Sequence, residues 1–306
     1  MLKIGTDCSG IEAPIQALKQ LKIPFKHLFS SEIDKYCIKS IKANYKPEII
    51  FGDKDGSFPE GDIRKRNVKD VPDIDLYICG FPCQPFSSAG ERKGLNDDRG
   101  NVFYSCLEII KNKHPTYFIL ENVKGLLNHD KGNTWKIIWN EILKLEEYGY
   151  KVKYKVLNTK DYGIPQNRER VFIVGTKGKN FEWPEKKEMD DIENYINQSN
   201  NIINSYPERM LKNNMLDKIP SNSIFIDLAY PKHNFPNSNK FSPCIASNSR
   251  LWCVPKKRFA DIKELLKLQG FKNFNLVISN TQIKKQIGNS ISVNILKALL
   301  KQILIP

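Results

Sequence analysis

A chain of 306 residues is long enough to bury a full core, as one large domain or as a large and a small one. Its 48 basic residues against 34 acidic leave a net charge of +14, which points toward a polyanionic partner, most often nucleic acid. The seven cysteines (8, 37, 79, 83, 106, 244 and 253) are odd in number and contain no C-x-x-C pair; they argue against a disulfide framework or a structural zinc site and for a reducing compartment.

The N-terminus, Met1-Leu2-Lys3-Ile4-Gly5, enters a strand directly and carries no signal-peptide pattern. No apolar run approaches the length of a membrane span. An intracellular, cytoplasmic protein without a membrane partner is expected. The four histidines are scattered, so no metal is expected.

Apolar runs alternate with helix-period segments up to about residue 176. Residues 3–6 and 27–31 read as strands, and 11–21 and 34–43 as the helices that follow them. Strands are expected near 75–79, 116–120 and 171–175, and helices over 102–111 and 134–147. In the last of these Trp135, Ile138, Ile142 and Leu145 recur at three- and four-residue steps, which places them on one face. Residues 150–157 alternate apolar and polar side chains, as a half-buried strand does. Strands separated by helices imply an α/β, doubly wound and mostly parallel sheet.

The composition changes after Gly175. Residues 177–243 are rich in Asn, Lys, Ser and Pro, with an Asn-rich patch near 194–204, and read as a small irregular domain or a long insertion. Helices are expected again over 258–268 and 292–303. Charge is uneven too: residues 177–243 balance 9 basic against 9 acidic groups, whereas residues 244–306 hold 11 basic against 2. The C-terminal fifth is the electrostatic handle.

The most informative stretch is Gly80-Phe81-Pro82-Cys83-Gln84-Pro85-Phe86-Ser87. It follows a strand-like Leu76-Tyr77-Ile78-Cys79 and places one cysteine on a stiff turn at a strand's carboxyl end, where open α/β sheets carry their chemistry. Three further blocks stand in order behind it: Glu121-Asn122-Val123 after a strand, Gln166-Asn167-Arg168-Glu169-Arg170 before one, and Gln286-Ile287-Gly288-Asn289-Ser290-Ile291 near the end. In type, order and spacing these blocks resemble the cytosine-C5 DNA methyltransferases of bacterial and viral type. A nicotinamide dehydrogenase is disfavoured, because no G-x-G-x-x-G follows the first strand.

The resemblance implies a Rossmann-like, S-adenosylmethionine-dependent methyltransferase fold with a small irregular target-recognition domain. It divides the chain into a catalytic and cofactor-binding domain over 1–176, a recognition domain over 177–245, and a C-terminal segment over 246–306 whose later part returns to the catalytic domain. S-adenosylmethionine, released as S-adenosylhomocysteine, would be held through Cys8, Ser9, Gly10, Ile11, Glu32, Ile33, Asp62, Ile63, Pro82, Asn289 and Ser290. Glu32 would accept the ribose hydroxyls and Asp62 would meet the adenine amino group, with Asp53 a competing candidate. Two positions depart from the family pattern: Cys8 stands where Phe is usual, and Glu12 where a second Gly is usual. Glu12 would add a carboxylate near the cationic sulfonium.

The implied chemistry starts from the poor nucleophilicity of cytosine carbon 5. Cys83, as a thiolate, would add to carbon 6, with Arg168 and Arg170 as the cations that favour its ionised form. Glu121, its pKa raised by burial, would serve N3 and the exocyclic amino group, and Arg168 would stabilise charge at O2. The target base must leave the duplex to be reached. Residues 84–101 would form the loop that closes over it, with Gln84, Ser87, Arg92 and Arg99 touching DNA and Lys256, Lys257 and Arg258 holding phosphates. Base reading would fall to 177–245. The implied partners are double-stranded DNA and, without a stable complex, a cognate restriction endonuclease acting on the same sequence; the protein would be a monomer. Two alternatives are a transfer-RNA cytosine-C5 methyltransferase, against which Gly80-Phe81-Pro82-Cys83 speaks, and a catalytically silent DNA-binding protein.

Overall fold

The computed structural model describes residues 1–82, 101–198, 219, 222–229 and 239–305. Contacts group the chain into two compact units: residues 1–157, 169–185 and 295–306 form the first, and residues 158–168 and 186–294 the second. Among the described residues no helix is long and apolar enough to cross a membrane.

The first unit is built as β1 (Leu2–Asp7), α1 (Ala13–Leu21), β2 (Phe25–Ser31), α2 (Lys35–Asn44), β3 (Ile49–Phe51), β4 (Leu76–Gly80), α3 (Asn101–Lys113), β5 (Tyr117–Val123), α4 (Asn133–Leu143), β6 (Tyr150–Asn158) and β7 (Glu169–Lys177). The strands form a seven-stranded sheet in the order β3-β2-β1-β4-β5-β7-β6. β2 pairs with β1 and β3, and β4 with β1 and β5, all parallel. β7 runs antiparallel to β5. Ile4, Ile78 and Ile119 are buried to 1% exposure or less, as expected of central parallel strands covered on both faces.

The strand order decides where a ligand can sit. After β1 the chain turns to β2 on one side, whereas β4 lies on the other. That reversal opens a crevice at the carboxyl ends of β1 and β4, the usual ligand position in open α/β sheets. The turn that opens with Cys8 follows β1, and Phe81-Pro82 follows β4.

Helix ends follow local chemistry. α2 starts because the Asp34 carboxylate accepts the Tyr36 N–H at 2.8 Å, a standard N-cap. The expected helix over 134–147 stops at Leu143 and tightens into a 3-10 turn over Lys144–Tyr148, which Gly149 closes in the left-handed region.

In the second unit β8 (Phe225–Asp227), β9 (Leu251–Cys253) and β10 (Arg258–Phe259) form a small antiparallel sheet. Ile226, Leu228 and Trp252 make its core. Here the expected helix over 258–268 is corrected. Arg258 and Phe259 pair with β9, and α5 begins only at Ile262 (Ile262–Leu268). Asp261 and Glu264 form a capping box that fixes this start. α6 (Asn280–Asn289) was not anticipated, because its buried side chains are few and include Gln286. α7 (Val293–Leu304) follows; its residues from 295 onward belong to the first unit, where Leu296, Leu299 and Leu300 are fully buried.

Candidate active site

The turn after β1 is built from unusual backbone. Cys8, Gly10 and Glu12 all have positive φ, at 49°, 55° and 58°. Among the described residues nothing lies within 4 Å of where a Cβ would stand on Gly10, so the backbone is open to close approach there. Gly10 N–H donates to Glu32 Oε2 at 2.9 Å. Oε1 of the same carboxylate accepts the amides of Ile33 and Asp34 at 2.9 and 3.1 Å. Burial pushes the Glu32 carboxyl above its ordinary value, against these amides, which favour the charged form. Beside it Ile33 leaves 76% of its surface exposed. An open glycine, a preorganised carboxylate and an exposed apolar side chain together suit a nucleoside-bearing ligand.

A second glycine requirement locks the neighbouring turn to the end of β2. A Cβ on Gly61 would fall 2.3 Å from the Glu32 carbonyl oxygen, so only glycine lets the Asp62 turn approach. Asp62 itself is engaged by Arg64, which donates Nε to both carboxylate oxygens. That contact and the nearby charge hold the Asp62 carboxyl below its usual range. Asp53 instead pairs with Lys42.

Not every expected cofactor side chain faces outward. Ile11 is fully buried and offers no side-chain surface to a ligand. Ser9 Oγ accepts the Ser31 N–H at 2.9 Å, and Ile63 lies in the core. Glu12 is corrected as well. It is fully buried, and its Oε1 accepts hydrogen bonds from Thr6 and Ser30 at 2.6 and 2.5 Å, inside the protein beneath the turn. Cys8 packs on the core. The hydrogen bond to Cys79 lowers the Cys8 thiol most, but burial and nearby negative charge leave it raised overall. Burial also raises Cys79, whose thiol lies 3.4 Å from Cys106, and Cys253 is pushed up to about 11. These three thiols stay protonated at neutral pH and are poor nucleophiles.

Cys83, Gln84, Ser87, Arg92 and Arg99 lie outside the described residues. The structure does describe what precedes Cys83 in the chain. β4 ends at Gly80, paired with Glu121 of β5. The next residue on β5, Asn122, donates Nδ2 to the Phe81 carbonyl at 3.1 Å and accepts the Val123 N–H at 2.8 Å. It is 2% exposed. Asn122 therefore ties Phe81, just past the end of β4, to β5. No role for it was expected from the sequence, although a buried amide inside an apolar strand is a signal in itself.

Glu121 and Arg170 meet across β5 and β7, where Val123 pairs with Arg170. Arg170 Nε stands 3.3 Å from Glu121 Oε1, and the two side chains are 15% and 10% exposed. A carboxylate and a guanidinium at the carboxyl end of the sheet can together bind a ring that offers both donors and acceptors.

Arg168 has a different role from the one expected. It lies in the second unit and is 2% exposed. Nη1 donates to the Ile245 carbonyl at 2.7 Å; Nη2 donates to the carbonyls of Gly288 and Ser290 at 3.2 and 2.7 Å. Two of these carbonyls close α6, so the guanidinium caps the negative end of that helix. Gln166 and Gln269 complete the arrangement. Gln166 Nε2 donates to the Leu268 carbonyl and to Gln269 Oε1, and Gln269 Nε2 donates to the Ile287 and Ser290 carbonyls. Gly288 is required because a Cβ there would lie 2.3 Å from Ala246 backbone atoms. Asn289 is exposed and Ser290 buried.

The chain as a whole is similar to known proteins. The C-5 cytosine-specific DNA methylase family matches residues 6–304. The chain belongs to that family. This methylase is 37% identical over 297 residues to the type II methyltransferase M.SsoII of Shigella sonnei, across 90% of this chain and 73% of that one. It is 38% identical over 285 residues to the type II methyltransferase M.HaeII of Haemophilus aegyptius, across 90% and 84%. Solved structures agree on the fold: the S. pombe Dnmt2 methyltransferase superposes with a TM-score of 0.71 at 19% identity, over 99% of this chain and all of that one. An E. coli prophage-encoded putative DNA modification methyltransferase gives 0.71 at 19% identity, over 99% and 98%. The methylase is thus a DNA cytosine-C5 methyltransferase.

Among its expected phosphate contacts, Lys257 is exposed and Lys256 Nζ reaches Gln198 Oε1 at 3.2 Å. Arg258 is corrected. Its guanidinium makes two 2.8 Å hydrogen bonds to the buried Glu264 carboxylate, so it is a structural ion pair and not a free cation.

Proposed function

We propose that this methylase uses S-adenosylmethionine to methylate carbon 5 of a cytosine extruded from duplex DNA, through a covalent adduct to Cys83. The observation that carries this reading is the Glu121–Arg170 pair at the carboxyl end of β5, next to the Asn122 amide that holds Phe81 after the end of β4. S-adenosylmethionine, when bound, supplies an electrophilic methyl group. Glu32, Gly10 and Ile33 would hold its nucleoside, for the reasons of shape and charge given above.

The chain's own residues prepare the base. The Cys83 thiolate forms a bond to carbon 6, and the ring electrons become available at carbon 5. Glu121 holds N3 and the exocyclic amino group. Arg170, already paired with Glu121, is our choice of cation for O2, since Arg168 is committed to three backbone carbonyls. Once carbon 5 carries its methyl group, its proton leaves to a base, the ring electrons return, and the carbon–sulfur bond breaks to restore the thiolate. The extruded base exposes carbon 6, which is stacked within a duplex.

By analogy with the type II relatives, the biological role is modification that protects DNA from a cognate endonuclease. Recognition of the target sequence is assigned to the segment over 177–245. The test is methylation of mixed-sequence duplex DNA with labelled S-adenosylmethionine, followed by bisulfite sequencing. Carbon-5 methyl groups confined to one short sequence context are expected. Labelling of transfer RNA and not of DNA would overturn the substrate, and no labelling of either would overturn the activity.

A further inference from the structure

We propose that Glu12 is a positioning residue for the cofactor, acting from beneath the turn without touching the ligand. This rests on the reading of S-adenosylmethionine as cofactor. Glu12 holds a left-handed backbone, φ 58° and ψ 51°, which a side chain disfavours and glycine does not. Its side chain is fully buried, and one oxygen gathers several contacts. Oε1 accepts Thr6 Oγ1 at 2.6 Å from the end of β1 and Ser30 Oγ at 2.5 Å from the end of β2, with His27 Nε2 at 3.4 Å. Ser9 extends the knot. Its Oγ lies 2.7 Å from Thr6 Oγ1, and Ser9 N–H donates to the Ser31 carbonyl at 3.1 Å.

The consequence is geometric. Thr6 and Ser30 sit on the two strands whose next residues form the candidate cofactor site. Two residues beyond Ser30 is Glu32, which receives the Gly10 amide. One buried carboxylate thus sets the spacing between the turn and the nucleoside-binding acid. A residue that merely filled space would not need an ionisable group in a strained conformation. Oε2 accepts no hydrogen bond from the described residues. Glutamine keeps the accepting oxygen: its carbonyl replaces Oε1, so the contacts from Thr6 and Ser30 survive the loss of charge.

Glu12→Gln, Glu12→Gly and Glu12→Ala separate positioning from stability. Binding of S-adenosylhomocysteine and S-adenosylmethionine is measured by calorimetry on the full chain, with KM for cofactor and for DNA measured alongside. Glu12→Gly relieves the backbone strain, so it is the variant that folds if Glu12→Ala does not. We expect Glu12→Gly to bind either ligand about tenfold more weakly, equivalent to one charged hydrogen bond, and to raise KM for cofactor but not for DNA. Glu12→Gln is expected to stay within about threefold of wild type on the same scale. Glu12→Gly binding as tightly as wild type would overturn the proposal. Wild type binding neither ligand would remove the cofactor assignment and the proposal with it.

Discussion

The two arginines of the Gln166–Arg170 block are expected to fail in opposite ways when each is replaced by methionine, which keeps most of the side-chain volume. Arg168→Met removes the donors to three carbonyls. Ser290 O keeps the Gln269 Nε2 donor at 3.0 Å; Ile245 O and Gly288 O lose the guanidinium donors that reach them. At about 1–3 kcal/mol per buried polar group left unsatisfied, the cost is roughly 2–6 kcal/mol. That is a large share of the ~5–15 kcal/mol that separates a folded domain from its unfolded chain. Arg170→Met breaks the pair with Glu121 and the Nη1 hydrogen bond to the Glu169 carbonyl on its own strand, a cost of about 1–3 kcal/mol. Its loss should appear in turnover, by roughly 10²–10³-fold, if the guanidinium meets charge that develops on the base. Urea unfolding followed by circular dichroism gives the first quantity, and single-turnover methylation gives the second. An Arg168→Met protein with a wild-type urea midpoint and abolished turnover would refute this division of labour. So would an Arg170→Met protein that methylates normally.

Gly288→Ala should cost about 1–3 kcal/mol or more by overpacking, because the added Cβ meets the Ala246 and Ser247 backbone rather than a flexible side-chain tip; a thermal melt checks it. Arg66→Met should destabilise by about 3–5 kcal/mol, since Arg66 Nη2 is the cation 2.9 Å from Asp7 Oδ2 in a pair only 3% and 0% exposed. Asp7→Asn in the same chain should recover most of that loss, and an additive double-mutant cycle would contradict the pairing. Cys83→Ser should abolish methylation and leave DNA binding intact, measured by gel shift; residual wild-type turnover would remove the nucleophile assignment. Charge reversal at Lys256 and Lys257 should weaken binding to all DNA sequences alike and flatten the salt dependence. A changed sequence preference would instead place base reading there.

The central strands of the first unit were legible because buried parallel strands are continuous apolar runs, as in Leu76–Gly80 and Tyr117–Val123; the three-residue edge strand β3 (Ile49–Phe51) was not expected, being too short to stand out as a run. The start of α5 was misplaced although its signal was present: Asp261 and Glu264 stand in capping-box spacing, and Arg258-Phe259 read as helix because a two-residue strand is too short to show an alternating pattern, although its partner strand ends only five residues upstream at Cys253. α6 was missed because its buried face includes a glutamine and a glycine, so hydropathy periodicity says nothing about it.

The sequence by itself determined the family, the chemistry-bearing residue types and the sheet's alternating order, since these depend on local pattern and on motifs in register. It could not rank residues of one type. Arg168 and Arg170 are two positions apart in one motif, yet one caps a helix from inside the second unit and the other faces Glu121 in the first. Glu12 and Glu32 are two carboxylates beside one turn, yet one is buried beneath it and the other receives its Gly10 amide. Such differences come from which way a side chain points and what lies across from it. Partners such as Gly288 and Ser30 are brought there by tertiary packing, and neighbours along the chain carry no record of them.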